Sequence, residues 1–183
     1  MHEKRFHGDP ARLRSARRRE LLAVDLVVAR SLEGGARSVL DVGTGSALFA
    51  EAFAARGARV AGIDADLGMI RAAAGFAPRA AFCVADAEAL PCRDGAFDLV
   101  FLGHLLHETD EPLRALREAK RAARLTVAIL EWPYRAEEDG PPLEHRLRPE
   151  AIEALARSAG FSAIAREAHP SMTFYRLDAR KGD

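Results

Sequence analysis

The chain has little cysteine, no excess of either charge and no long apolar run, and each shortage removes a class of protein. Cys83 and Cys92 are the only cysteines among 183 residues, and their spacing is not that of a metal site. Nothing suggests a disulfide framework, so a reducing cytoplasm is the expected location. Cys83 lies in an apolar run and reads as a small core residue, while Cys92 follows Pro91 in an expected loop. Lys plus Arg number 27 and Asp plus Glu number 27, which leaves no bulk electrostatic case for a nucleic-acid partner. No stretch is apolar for long enough to span a bilayer. The polar N-terminus lacks the apolar segment of a secretion signal, and Glu3 and Asp9 argue against an amphipathic transit signal. No internal repeat and no low-complexity linker is visible.

What remains is an ordinary globular composition, 49% apolar and 30% charged, at a length that suits one domain and one core. A monomer or homodimer is expected. The basic side is almost all arginine and is dense at Arg12, Arg14, Arg17, Arg18 and Arg19. A solvated helix face is the preferred reading there, ahead of a patch for an anionic ligand.

Residues 1–10 lack periodicity and are expected to be mobile. Leu13, Leu21, Val24, Val28 and Leu32 recur at three- and four-residue steps, predicting one helix over 11–32 that Gly34-Gly35 ends. Strands and helices then alternate. Strands are predicted at 38–42, 60–63, 81–85, 97–102 and 125–130. Helices are predicted at 47–56, 67–75 and 112–123, the last capped by Thr109 or Asp110. Near-continuous apolar strands separated by helices imply a parallel sheet covered on both faces. The ending differs. A helix opens at Pro149 and stops at Gly160, and strands at 162–169 and 172–180 are joined only by Pro170-Ser171. No crossover fits there, so those two strands are antiparallel. Residues 134–149, rich in Pro, Gly and charge, form the one long irregular connection, a candidate lid or substrate loop.

The informative segment is Val39-Leu40-Asp41-Val42-Gly43-Thr44-Gly45-Ser46-Ala47. Glycines between a strand and a helix let a ligand approach the backbone and aim the helix N–H groups at it. Asp64 ends the next strand about twenty residues on, where a carboxylate can accept hydrogen bonds from both hydroxyls of a ribose. A dinucleotide fingerprint would need a third glycine at position 48, which is Leu48.

With these motifs the chain resembles the class I S-adenosylmethionine-dependent methyltransferases, in particular the small-molecule group containing the ubiquinone and menaquinone methyltransferases. The matches come in order: Leu40-Asp41-Val42-Gly43-Thr44-Gly45, Gly62-Ile63-Asp64, Ala85-Asp86-Ala87-Glu88-Ala89-Leu90-Pro91, then Phe97-Asp98-Leu99-Val100. They cover 38–133. Ala47 stands where that family often has a further glycine. The resemblance implies a Rossmann-like three-layer sandwich on a mostly parallel seven-stranded sheet of order 3-2-1-4-5-7-6. It implies one methyltransferase domain over 1–183, with a helical cap at 1–35, a cofactor core at 36–133 and a substrate-side segment at 134–183. It also implies S-adenosylmethionine as cofactor and a small-molecule acceptor. Asp41, Gly43, Gly45, Asp64, Ala65, Asp86, Ala87 and Gly103 would bind the cofactor. Asp86 would face the adenine amino group and the Ala87 backbone the ring.

Asp98 reads as structural. In Gly103-His104-Leu105-Leu106-His107-Glu108, the His-x-x-His-Glu spacing is not that of a known zinc motif, and no metal is expected. His104 is either a general base at the pocket or a packing residue, and His107 caps or packs. Trp132 and Tyr134 either hold an aromatic acceptor or pack beside Pro133. Glu131 is a base or the partner of an arginine. Leu13 and Phe6 belong to a helix that could close over the opening. Two rivals stay open: a cofactor-binding regulatory module without turnover and, disfavoured by Leu48, a nicotinamide-dependent oxidoreductase. The absence of an Asn-Pro-Pro-Tyr motif after the fourth strand argues against amide or adenine-amine acceptors.

Overall fold

The structure is a computed structural model and describes residues 10–180. The expectation of mobility for the first residues, and the capping role of Phe6, lie outside the described residues. The described chain builds a seven-stranded sheet of order β3-β2-β1-β4-β5-β7-β6. Its strands are β1 (Ser38–Val42), β2 (Arg59–Asp64), β3 (Ala81–Val84), β4 (Phe97–Gly103), β5 (Ala123–Glu131), β6 (Ile164–Glu167) and β7 (Thr173–Asp178). The first five run parallel, and β7 pairs antiparallel with both β5 and β6. The short link at Pro170-Ser171 leaves no room for a crossover helix, which is why the ending reverses direction.

Alternation of side chains splits each central strand between two cores. Val39, Leu99, Phe101, Ala128 and Leu130 join one core with Val27 and Val28 of α2 (Val24–Ser31) and Phe49 and Phe53 of α3 (Leu48–Ala55). Leu40, Val42, Val100, Leu102, Val127 and Ile129 join the other with Leu116 and Ala119 of α5 (Pro112–Ala122) and Ile152 and Ala156 of α6 (Pro149–Ser158). The helix Leu67–Phe76 is α4 and packs beside β2 and β3. This two-faced burial makes β1 apolar except for Ser38 and Asp41. Among the described residues, no helix is long and apolar enough to cross a membrane.

Three local expectations are corrected. The single N-terminal helix is instead a 3-10 turn at Pro10–Arg14, α1 (Ala16–Leu21) and α2. Ala23, at φ 42°, breaks it between Leu22 and Val24, and both of those side chains are buried. Cys83 is exposed rather than core, because β3 is an edge strand with little packed over it. The helix α5 is preceded by Glu111 with no side-chain cap, while Thr109 donates to the Leu106 carbonyl.

Asp98 is structural, as expected. Its carboxylate accepts from the backbone N–H of Arg37 (2.9 Å) and Ser38 (3.1 Å) and pairs with Arg124, tying the start of β4 to the start of β1. Burial works against its charge, but these donors outweigh it and lower its pKa.

Candidate functional site

A cavity of about 550 Å³ opens at the carboxyl ends of β1, β2 and β4. It is the usual location for a ligand in an open α/β sheet. Asp41, Gly43, Gly45, Asp64, Ala65, Asp86, Ala87, Gly103 and His104 all line it. Residues from four separate segments of sequence therefore face one space.

The turn after β1 is wound by alternate left-handed residues: Gly43 at φ 70°, Gly45 at φ 51° and Ala47 at φ 60°. A β-carbon on Gly43 would lie 2.7 Å from Leu105, so the loop after β4 closes tightly on that glycine. A β-carbon on Gly45 would meet only Leu13, at 3.7 Å, so the space above Gly45 belongs to the cavity. Ala47 takes at a modest steric cost the backbone shape that glycine takes freely.

The acids shape this turn before they meet any ligand. Asp64 accepts from the Gly45 N–H (2.9 Å) and the Asp66 N–H (2.9 Å), joining the glycine turn to the end of β2. Asp86 accepts from the Glu88 N–H at 2.8 Å through Oδ1. Asp41 is buried and accepts from the Thr44 hydroxyl at 2.7 Å. Burial pushes its carboxyl up to about 7, against the Thr44 and Ala50 donors and helped by nearby Asp64.

The other side of the cavity is built after β4 and β5. His104, at φ 56°, is half-buried, and its ring stands 4.9 Å from the Trp132 ring. Among the described residues, neither of its ring nitrogens has a hydrogen-bond partner. Burial first, then the charge of Arg18, holds its pKa well below the usual histidine value, so the imidazole is neutral. Arg18 reaches the cavity from α1, and Leu13 and Leu22 line it from the same N-terminal segment.

Residues 40–126 match the methyltransferase domain family. This match, the curated relatives and the solved structures support a class I S-adenosylmethionine-dependent methyltransferase. The chain is 34% identical over 130 residues to a demethylmenaquinone methyltransferase of Renibacterium salmoninarum, an alignment covering 69% of this chain and 53% of that protein. It spans about half the length of the first curated relatives it matches. A crystal structure of a SAM-dependent methyltransferase from Aquifex aeolicus superposes with a TM-score of 0.80 at 25% identity, covering 94% of this chain and 99% of that one. The cyclase SpnF shares the fold at a TM-score of 0.71 and 23% identity, covering 99% of this chain and 88% of that one. The fold thus hosts more than one activity, and function must be argued from the site.

Several expectations about the residues after β4 and β5 need correction. Tyr134 does not line the cavity; it lies under the Arg148 guanidinium, 4.1 Å away. Glu131 pairs with His107 rather than with an arginine: Nδ1 and Oε2 are 2.8 Å apart, and both residues are buried. Burial alone would lower His107, but the Glu131 charge and hydrogen bond, with Glu108 nearby, outweigh it and raise the pKa. The His-x-x-His-Glu segment is therefore a structural pair beside an unpaired pocket imidazole. Among the described residues no cluster of His, Cys, Asp and Glu could hold a metal.

The basic N-terminal face is not simply solvated. Arg14 pairs with Glu51 and lies over the Phe76 ring, and Arg17 bonds Asp139 at 2.8 Å. Sequence reasoning also gave no role to Gly140 or Arg146. Gly140, at φ 92°, lies so close to the Trp132 indole that a β-carbon would sit 2.7 Å from it. The buried Arg146 donates to the carbonyls of Pro133, Arg135, Asp139 and Pro141, fixing the loop that follows β5. A lone loop arginine gives no sequence signal for that job.

Proposed function

We propose that this chain transfers a methyl group from S-adenosylmethionine to a small-molecule acceptor. The observation that carries the reading is the convergence of the glycine turn, the strand-end acids and His104 on one cavity. The donor set suits this cofactor. Asp64 offers a carboxylate for two ribose hydroxyls, and Asp86 one for an adenine amino group. Ala65 and Ala87 bring backbone close to the rings. Gly45 leaves room for the amino-acid end, while Gly43 and Gly103 let Leu105 and Phe101 pack closely beneath it, and Asp41 supplies negative charge beneath a cationic ligand. When bound, the cofactor supplies an activated methyl carbon for in-line attack by the acceptor.

The protein then has to orient the acceptor and exclude water. Leu13 and Leu22 from the N-terminal segment, and Gly140 and Pro141 from the 134–149 loop, close the cavity rim. We take the whole chain, 1–183, as one methyltransferase unit, with 1–35 as cap, 36–133 as cofactor core and 134–183 as substrate side. Where the acceptor carries a proton, neutral His104 is the group positioned to remove it. We further propose cytoplasmic residence, a monomer or homodimer, and no nucleic-acid partner.

The test is transfer of tritium from methyl-labelled cofactor to a pool of small-molecule acceptors. The reading predicts a labelled product with wild type. His104→Ala should reduce its rate by roughly 100-fold or more if the imidazole is a base. Tight cofactor binding with no labelled product across a broad pool would leave a binding module instead. Equal rates would make His104 a packing residue.

A further inference from the structure

Arg18 is a cation without an anion. Its guanidinium is largely buried in the cavity wall, and among the described residues it makes no side-chain hydrogen bond and no ion pair. Asp139, the nearest acid in electrostatic terms, is bonded by Arg17 instead. The one close contact is with the face of Trp132, 5.8 Å away, near the outer limit for a cation–π attraction. Burial accordingly depresses the Arg18 pKa, and the charges of Asp139 and Glu108 only partly offset it. A half-desolvated guanidinium is costly to fold around unless an anion joins it. Its planar fork suits a carboxylate or a similar oxyanion.

A second, independent observation lies beside it. His104 is half-buried in the same wall, and both of its ring nitrogens are buried without a hydrogen-bond partner among the described residues. A neutral imidazole offers one donor and one acceptor, so this part of the cavity holds polar groups that lack partners among the described residues. The location also has a side. The charges that act on Arg18 come from the segments after β4 and β5, at Glu108 and Asp139. The strand-end acids Asp64 and Asp86 do not contribute.

We propose that Arg18 is a specificity-determining residue and that the acceptor carries a carboxylate, or an oxyanion of similar shape, held between Arg18, His104 and Trp132. This rests on the reading of the rest of the cavity as the cofactor's site. An acceptor with an apolar body and an anionic end would set its charge against Arg18 and meet the small part of Trp132 that lines the cavity.

Trp132 is the single tryptophan of the chain and lies in this wall, so its fluorescence reports occupancy directly. The experiment titrates benzoate and its neutral isostere benzamide into the protein, with and without saturating S-adenosylhomocysteine. Arg18→Met and Arg18→Lys are run beside wild type, with melting curves throughout. Wild type should prefer benzoate by tenfold or more. Arg18→Met should bring the two probes within twofold of each other, and Arg18→Lys should keep part of the preference. S-adenosylhomocysteine should bind Arg18→Met within threefold of wild type. If Arg18→Met loses its melting transition, Arg18→Gln takes its place.

No preference for benzoate in wild type, or a preference that survives loss of the guanidinium, overturns the proposal. So does a tenfold loss of S-adenosylhomocysteine affinity in Arg18→Met with unchanged affinity for 5′-methylthioadenosine, which lacks the amino-acid carboxylate. That result would assign Arg18 to the cofactor. If S-adenosylhomocysteine fails to bind wild type, the functional reading falls, and the probe titration without it still decides the role of Arg18.

Discussion

Asp41 is the residue whose environment makes the sharpest quantitative demand. It is 2% exposed, and burial pushes its carboxyl up to about 7 against the bonds from Thr44 and Ala50. Between an ordinary value near 4 and about 7, the folded protein holds a proton that the unfolded chain has released. Wild-type stability attributable to this group therefore falls as pH rises through that window and is level above it. Three pH units correspond to about 4 kcal/mol at ~1.4 kcal/mol per unit, an upper figure because internal relaxation softens buried charges. Asp41→Asn mimics the protonated form: its amide oxygen can accept from the Thr44 hydroxyl, and it cannot ionise. Its stability relative to wild type should rise steadily from pH 5 to pH 7 and then level. Urea unfolding at half-unit pH steps, followed by Trp132 fluorescence, measures the difference. The titrations of His104 and His107 are common to both proteins and cancel. A difference that stays constant with pH would refute the reasoning, because it would mean that Asp41 is ionised throughout. A cationic ligand over Asp41 should also expel its proton, so cofactor binding near pH 7 should release a proton from wild type and none from Asp41→Asn.

The remaining predictions are simpler. Asp64→Ala should weaken S-adenosylmethionine binding by about 1.5–3 kcal/mol, roughly tenfold to 150-fold, while the fold survives; unchanged affinity in calorimetry removes Asp64 from the site. Gly45→Val should abolish binding by placing a branched side chain in the cavity at φ 51°, and circular dichroism must show that the variant is folded; normal affinity in a folded variant refutes the close backbone approach. His107→Ala strands the buried Glu131 carboxylate and should cost about 3–5 kcal/mol, measured by denaturant unfolding. The raised His107 pKa means that its stabilisation is complete below about 6.5 and is lost as pH rises through the folded value. The penalty of His107→Ala should therefore shrink at alkaline pH, and a pH-independent penalty would rule out the charged pair.

The five parallel strands β1 to β5 were legible because both sheet faces are covered. That burial forces runs such as Leu99-Val100-Phe101-Leu102, in which neighbouring residues serve opposite cores. The antiparallel ending was legible from chain length alone, since Pro170-Ser171 cannot hold a crossover. The N-terminal break was not, because Leu21, Val24 and Val28 keep helical spacing straight through Ala23. Local spacing says which residues want burial, and the left-handed turn at Ala23 lets Leu22 and Val24 both obtain it. The glycine turn and the strand-end acids that line the cavity were readable because backbone shape there demands glycine and acids close the strands. The wall built after β4 and β5 was not. Arg18 looked like one of five surface arginines, Glu131 found a histidine twenty-four positions away, and Tyr134 turned toward Arg148. Those choices depend on contacts between distant segments, which spacing does not encode.

The central claim is that the cavity at the ends of β1, β2 and β4 binds S-adenosylmethionine, and calorimetric titration of the wild-type chain tests it most directly. The account predicts saturable, one-to-one binding of S-adenosylmethionine and of S-adenosylhomocysteine, with no heat from NADH at the same concentrations. Binding of NADH, or of neither S-adenosyl compound at millimolar concentration, would contradict it.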